Sequence, residues 1–152
     1  MELSTGSYLA FAGINPVGMS YVIEPIMITV DEGAETPEKN WESLVKNESS
    51  TKEFQGKTVT FQHPELIAEK STTLFFDLHE DTPLPYLGAL GHLVVLDEQG
   101  TRFIHVHPTS NDQTVFEAQF PSPGFYKLWA EFKFADTGVF VFPFIVEVAK
   151  RR

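Results

Sequence analysis

The sequence predicts an all-β fold, an antiparallel β-sandwich with an N-terminal hairpin and one short helix. Three observations carry that reading. From Lys57 onward, short runs of β-branched and aromatic residues are separated by Pro, Gly, Asn and Asp, the pattern of successive strands and turns. The run F-Y-K-L-W-A-E-F-K-F alternates strictly, with Tyr126, Leu128, Ala130, Phe132 and Phe134 on one face and Lys127, Trp129, Glu131 and Lys133 on the other. Finally, 14 Phe in 152 residues and a hydrophobic content of 42% supply ample material for a core.

In chain order, Tyr8–Ile14 and Tyr21–Val30 read as two strands joined by the turn-rich Asn15-Pro16-Val17-Gly18. Asp31–Glu35 is acidic and loop-like. Thr36-Pro37-Glu38 has the form of a helix start: a hydroxyl N-cap, Pro at the first helical position and an acid in the first turn. A short helix to about Val45 follows, with Trp41, Leu44 and Val45 as its apolar stripe. Lys46–Gln55, polar and rich in Ser and Thr, reads as a linker.

Strands are then expected at Thr58–Gln62, Thr72–Leu78, Leu90–Leu96, Thr101–Val106, Val115–Phe120, Tyr126–Phe134 and Val139–Val148. Strands of this length and spacing point to an immunoglobulin-like sandwich. The expected organisation is a partial repeat over 1–35, a helix and linker over 36–56, and the sandwich over 57–152.

Two blocks of the chain echo one another. G-S-Y-L-A-F-A at 6–12 aligns with G-F-Y-K-L-W-A at 124–130, and I-E-P-I-M-I-T-V aligns with V-F-P-F-I-V-E-V at the same offset. Gly6, Tyr8, Ala12, Pro25 and Val30 match Gly124, Tyr126, Ala130, Pro143 and Val148. Residues 6–30 read as the last two strands of a preceding sandwich whose earlier strands are not in this chain, the alternative being that sandwich hairpins simply resemble one another. A two-stranded hairpin is marginal alone in water, so this one is expected to dock on the 57–148 sandwich or to form a homodimer by exchange.

Composition narrows the function classes. Eleven Lys and Arg against 21 Asp and Glu give a net charge of −10, which argues against nucleic acid and anionic membrane as partners. With no cysteine, disulfides, thiolate metal ligation and cysteine catalysis are excluded. No apolar run has the length of a membrane span. Met1-Glu2-Leu3-Ser4 lacks the basic start and apolar core of a signal peptide, so the chain is cytoplasmic or its leader has been removed.

Chemistry concentrates in P-Y-L-G-A-L-G-H-L-V-V-L-D-E-Q-G-T-R-F-I-H-V-H-P, residues 85–108. Turn formers Asp97-Glu98-Gln99-Gly100 between two apolar runs predict a hairpin. A two-residue tip at Glu98-Gln99 pairs Leu96 with Thr101, Val94 with Phe103 and His92 with His105. His107 then shares their face, since side chains alternate along a strand. A one-residue slip or a bulge at Gly100 would separate His92 from His105.

Three imidazoles on one sheet face form a candidate transition-metal site for copper or zinc, with Glu131 or Glu117 as a further carboxylate if its strand is adjacent. Met19 and Met27 are soft ligand types placed where core or turn residues are expected. His63 and His79 stand at strand ends beside Pro or acids and read as solvated. The bland alternative is that the H-x-H strand exposes two imidazoles, or buries one as a donor to a backbone carbonyl. Gly88 and Gly91 read as permitting a bend before the strand. Asp77, Glu80 and Asp81 read as a solvated loop. The chain contains no G-x-S-x-G, phosphate-cradling glycine loop or H-E-x-x-H, and an enzyme is not expected.

P-Y-L-G-A-L-G-H-L-V-V-L, F-I-H-V-H-P and F-P-S-P-G-F-Y-K-L-W-A-E-F followed by F-P-F-I-V-E-V resemble a group of poorly characterised bacterial exported proteins. These carry tandem immunoglobulin-like repeats and are akin to the YtkA-like domains. The resemblance covers about Lys57–Val148 well and residues 6–30 loosely; the helix-like segment departs from it. It implies an extracytoplasmic sandwich with a role in metal handling, and nominates Gly91-His92 and His105-Val106-His107-Pro108 as the shared site. Two readings follow: a metal-binding module without a catalytic role, or a structural or protein-interaction module that binds no metal.

Overall fold

The computed structural model describes residues 6–10, 26–30, 39–104 and 106–152, in two units, one ending at Asn40 and the other running from Trp41 to Arg152. The first contains strands β1 (Gly6–Ala10) and β2 (Ile26–Val30), paired antiparallel from Gly6↔Val30 to Ala10↔Ile26. The helix start expected at Thr36–Glu38 and the turn at residues 15–18 lie outside the described residues.

The second unit opens with α1 (Trp41–Lys46), followed by β3 (Thr51–Phe54), β4 (Lys57–Gln62), β5 (Ser71–Asp77), β6 (His92–Asp97), β7 (Phe103–Ile104), β8 (Val106–Pro108), β9 (Val115–Gln119), β10 (Gly124–Phe134) and β11 (Gly138–Val148). They form two antiparallel sheets, one in the order β3-β4-β5-β9-β8 and the other β11-β10-β6-β7. With β4, β5, β6, β8, β9, β10 and β11 as strands A to G and β7 as C′, these are the A-B-E-D and G-F-C sheets of an immunoglobulin-like sandwich. The expected fold class holds.

Alternation builds the core. In β10 every second residue from Tyr126 to Phe134 is buried, the face the sequence pattern assigned. Phe140, Phe142, Phe144, Val146 and Val148 do the same in β11. Rings meet across the two sheets: Phe61 lies 5.1 Å from Phe144 and Phe76 5.7 Å from Phe132, centroid to centroid. Tyr126, 1% exposed, packs edge-on against Phe120 at 4.9 Å and donates its hydroxyl proton to the Ser122 carbonyl at 2.8 Å. That is a tyrosine corner, a recurrent feature near the start of strand F in such sandwiches.

Three expectations require correction. The segment read as a linker contains β3, which pairs with β4 from Thr51↔Thr60 to Phe54↔Lys57. Its residues are mostly exposed, so it has no apolar alternation to announce it. The single strand expected over Thr101–Val106 is split: β7 pairs with β6, while β8 crosses to the other sheet and pairs with β9.

The hairpin register also differs. Val95 pairs with Ile104 and Leu96 with Phe103, not Leu96 with Thr101. The Asp97 carboxylate accepts the Thr101 and Arg102 N–H groups at 2.8 and 3.0 Å, and Gly100 adopts φ +69°. That side chain satisfies the amides of a longer loop, so the turn closes between Asp97 and Arg102 rather than at two residues.

The free edge of β11 is managed by the segment before β3. Glu48 Oε1 accepts the Ile145 N–H at 3.3 Å and pairs with Lys52 at 2.8 Å. Trp41 stacks on Phe125 at 6.4 Å. A carboxylate on an edge amide removes one donor from the template such an edge presents.

Candidate functional site

The sheet switch decides where the histidines go. His92 begins β6, opposite Glu131 of β10. Leu93 and Val95 are buried in the core, so His92 and Val94 stand on the outer face of the four-stranded sheet. His107 belongs to β8, opposite Glu117 of the five-stranded sheet; Val106 packs on the core and His107 beside it is exposed. His92 and His107 thus lie on different sheets and outer faces, and the expected convergence on one face does not form between them. His105, between Ile104 and Val106 in the sequence, lies outside the described residues. Among the described residues no group of three His, Asp or Glu side chains is placed to hold a metal ion.

What the fold builds at His92 is a defined pair. Nδ1 of His92 lies 3.0 Å from Glu131 Oε2, with the two side chains 40% and 22% exposed. A carboxylate on Nδ1 makes that nitrogen the hydrogen-bond donor, so that in a neutral ring Nε2 is the lone-pair nitrogen. Of the two carboxylates the sequence offered, Glu131 is the cross-strand partner of His92 and Glu117 that of His107. Glu117 Oε1 accepts a hydrogen bond from Ser71 Oγ at 2.7 Å.

Gly91 sets the pair's position. A Cβ there would lie 2.6 Å from Phe132 Cε1 and 3.2 Å from the Glu131 carbonyl oxygen. The glycine is required by close packing against β10 rather than by a bend, which corrects the expectation for it. The bend before the strand falls at Leu87 and Gly88, with φ of +53° and +90°.

The remaining histidines have local roles. His79 takes φ +57° and its Nε2 lies 2.8 Å from Thr60 Oγ1, while its backbone N–H donates to Asp77 Oδ1 at 2.8 Å. His63 Nδ1 lies 2.8 Å from the Pro64 carbonyl oxygen. Both are exposed, as expected, and each also meets a neighbouring polar group. Met19 lies outside the described residues, as do the side-chain surroundings of Met27.

The outer face around His92 is partly apolar. Val139, Val141 and Phe103 are 39%, 44% and 36% exposed there, and Trp129 is flanked in register by Pro143 and Val94. Its sequence signal was the second face of the alternating run, where Trp129 sits between Lys127 and Glu131. No helix among the described residues is long and apolar enough to cross a membrane.

No curated protein matches the chain. The profile of one family matches residues 52–150, from β3 to two residues past the end of β11. Because that match spans most of the sequence and the whole A-to-G sandwich, the chain belongs to the family described as Domain of unknown function (DUF8832).

Proposed function

We propose that the chain is an extracytoplasmic metal-binding immunoglobulin-like module, with His92 as a ligand to copper or zinc. The observation that supports this reading is the 3.0 Å contact between His92 Nδ1 and Glu131 Oε2. Metal-binding histidines characteristically donate their other ring N–H to a carboxylate, which holds the ring and raises the basicity of the ligating nitrogen. Imidazole nitrogen suits both copper and zinc. His105, in the H-x-H next along the chain, is the further imidazole the sequence nominates.

Calorimetric titration of untagged protein with Cu(II) and with Zn(II) tests this. His92→Ala and His105→Ala are expected to abolish tight binding. Glu131→Gln, which keeps the side chain's shape, is expected to weaken it about 10- to 100-fold. Binding should also weaken from about pH 7.5 to about pH 5.5, because protons compete for the same lone pairs. Binding unchanged in His92→Ala, or no tighter than that of an ordinary surface histidine pair, would sink the metal reading.

The second reading, a protein-interaction module without metal, draws on the exposed apolar face around Trp129. An apolar patch on a sheet face is a recurrent feature of docking surfaces. Failure of the metal titration together with association through that face would favour it.

A further inference from the structure

On the outward face of β10, Lys127, Trp129 and Glu131 follow one another between Phe125 and Lys133, with the Lys127 ammonium 4.9 Å above the centre of the Trp129 ring. This order is antisymmetric in charge about an aromatic centre. A two-fold axis laid across the strands at Trp129, in the plane between two such faces, reverses strand direction. It then sets Lys127 of each copy over Glu131 of the other and Trp129 over its own equivalent. On β11 the same rotation sets Val141 over Ile145, both on the outer face, since their register partners are Glu131 and Lys127. A two-fold contact requires such self-complementarity, because one patch must serve both sides.

We infer that this face of the four-stranded sheet docks on a second copy of the chain. Charge selects the occupant. Each copy carries a net charge of −10, so two copies repel over most of their surfaces. At this face every Lys127 and every Glu131 meets an opposite charge. Val141 at 44% exposed and Trp129 between Pro143 and Val94 supply apolar area for the centre of the contact. At one end the stack of Trp41 on Phe125 closes the face, and the stretch from Lys127 to Lys133 is open.

Sedimentation or light scattering of the full chain at tens of micromolar tests the inference, with circular dichroism confirming that each variant is folded. The wild-type protein is expected to be a dimer. Lys127→Glu and Glu131→Lys should each raise the dissociation constant about tenfold or more, since each places like charges opposite one another twice. An equimolar mixture of the two variants should recover dimer, because both cross-pairs become attractive again. A monomeric wild-type chain overturns the inference. So does a dimer indifferent to Lys127→Glu, which assembles through some other surface such as the N-terminal hairpin. Failure of the mixture to recover dimer overturns it as well. Lys127→Glu leaves the His92–Glu131 pair in place, so metal titration of that variant separates this result from the proposed function.

Discussion

The phenol of Tyr126 reaches back to donate to the carbonyl of Ser122, four residues upstream, at 2.8 Å, with Ser122 Oγ 3.1 Å from the phenol oxygen. This bond clamps the corner where the chain leaves the five-stranded sheet and enters the four-stranded one. Tyr126→Phe keeps the ring against Phe120 and removes only the hydroxyl. Loss of a part-buried hydrogen bond of this kind costs about 1–2 kcal/mol. Denaturant unfolding should show a lower midpoint with an unchanged slope.

Gly91 is held by its lack of a side chain. Ala at this position brings a methyl group to 2.6 Å from Phe132 Cε1, so the ring or the start of β6 must move. Phe132 is fully buried and packed against Phe76, so overpacking of about 1–3 kcal/mol is expected for Gly91→Ala. The same displacement carries His92 away from Glu131. If metal binds at His92, Gly91→Ala should therefore weaken it more than a substitution of equal destabilisation in the five-stranded sheet does.

Lys57 links the start of β4 to the ends of two loops. Its ammonium donates to Asp81 at 2.7 Å, lies 3.1 Å from Asp136, and sits 5.0 Å from the centre of the Phe134 ring. The bonds to Asp81 and then Asp136 raise the Lys57 pKa above 10.5, and the bond from Lys57 lowers that of Asp136 below 3.8. The depressed carboxylate contributes stability that is present above 3.8 and lost as pH falls through its folded value. The raised ammonium contributes stability that is present below 10.5 and lost as pH rises through its folded value. Lys57→Met should flatten the stability profile at both extremes; a pH profile identical to wild type would show that the three groups do not act together.

Sheet membership was legible wherever side-chain period decided it. Tyr126 to Phe134 could be assigned face by face because a strand of that length exposes its alternation. The histidine constellation could not. Its geometry turns on which strand receives Val106, and that is settled by pairing with Ala118 across the sequence, not by any residue between Thr101 and Pro108. Asp97 reads equally well as a member of a two-residue turn or as the acceptor that organises a longer loop. Only the loop's amides, once placed, distinguish them. Thr51–Phe54 escaped for the opposite reason: an exposed edge strand needs no apolar pattern, and its Ser- and Thr-rich flanks imitate a linker.

The two blocks that echo one another in sequence pair in the same register. When Gly6 is aligned on Gly124, the pairing from Gly6↔Val30 to Ala10↔Ile26 falls on that from Gly124↔Val148 to Leu128↔Phe144, position for position. Ser4 and Tyr8 fall on Ser122 and Tyr126, the two residues of the clamped corner. The hairpins differ in their neighbours: β10 is bonded by β11 on one side and β6 on the other, whereas among the described residues β1 pairs with β2. A two-stranded hairpin opens at far lower cost than a strand flanked on both sides. In native-state hydrogen exchange, amides of residues 6–10 are therefore expected to exchange through smaller openings than those of residues 124–128, despite the shared register. Equal protection in the two segments would mean that the outer edge of β1 is filled by another strand. Protection of residues 6–10 that rises with protein concentration would identify that strand as coming from a second copy, making the hairpin rather than the Trp129 face the site of assembly.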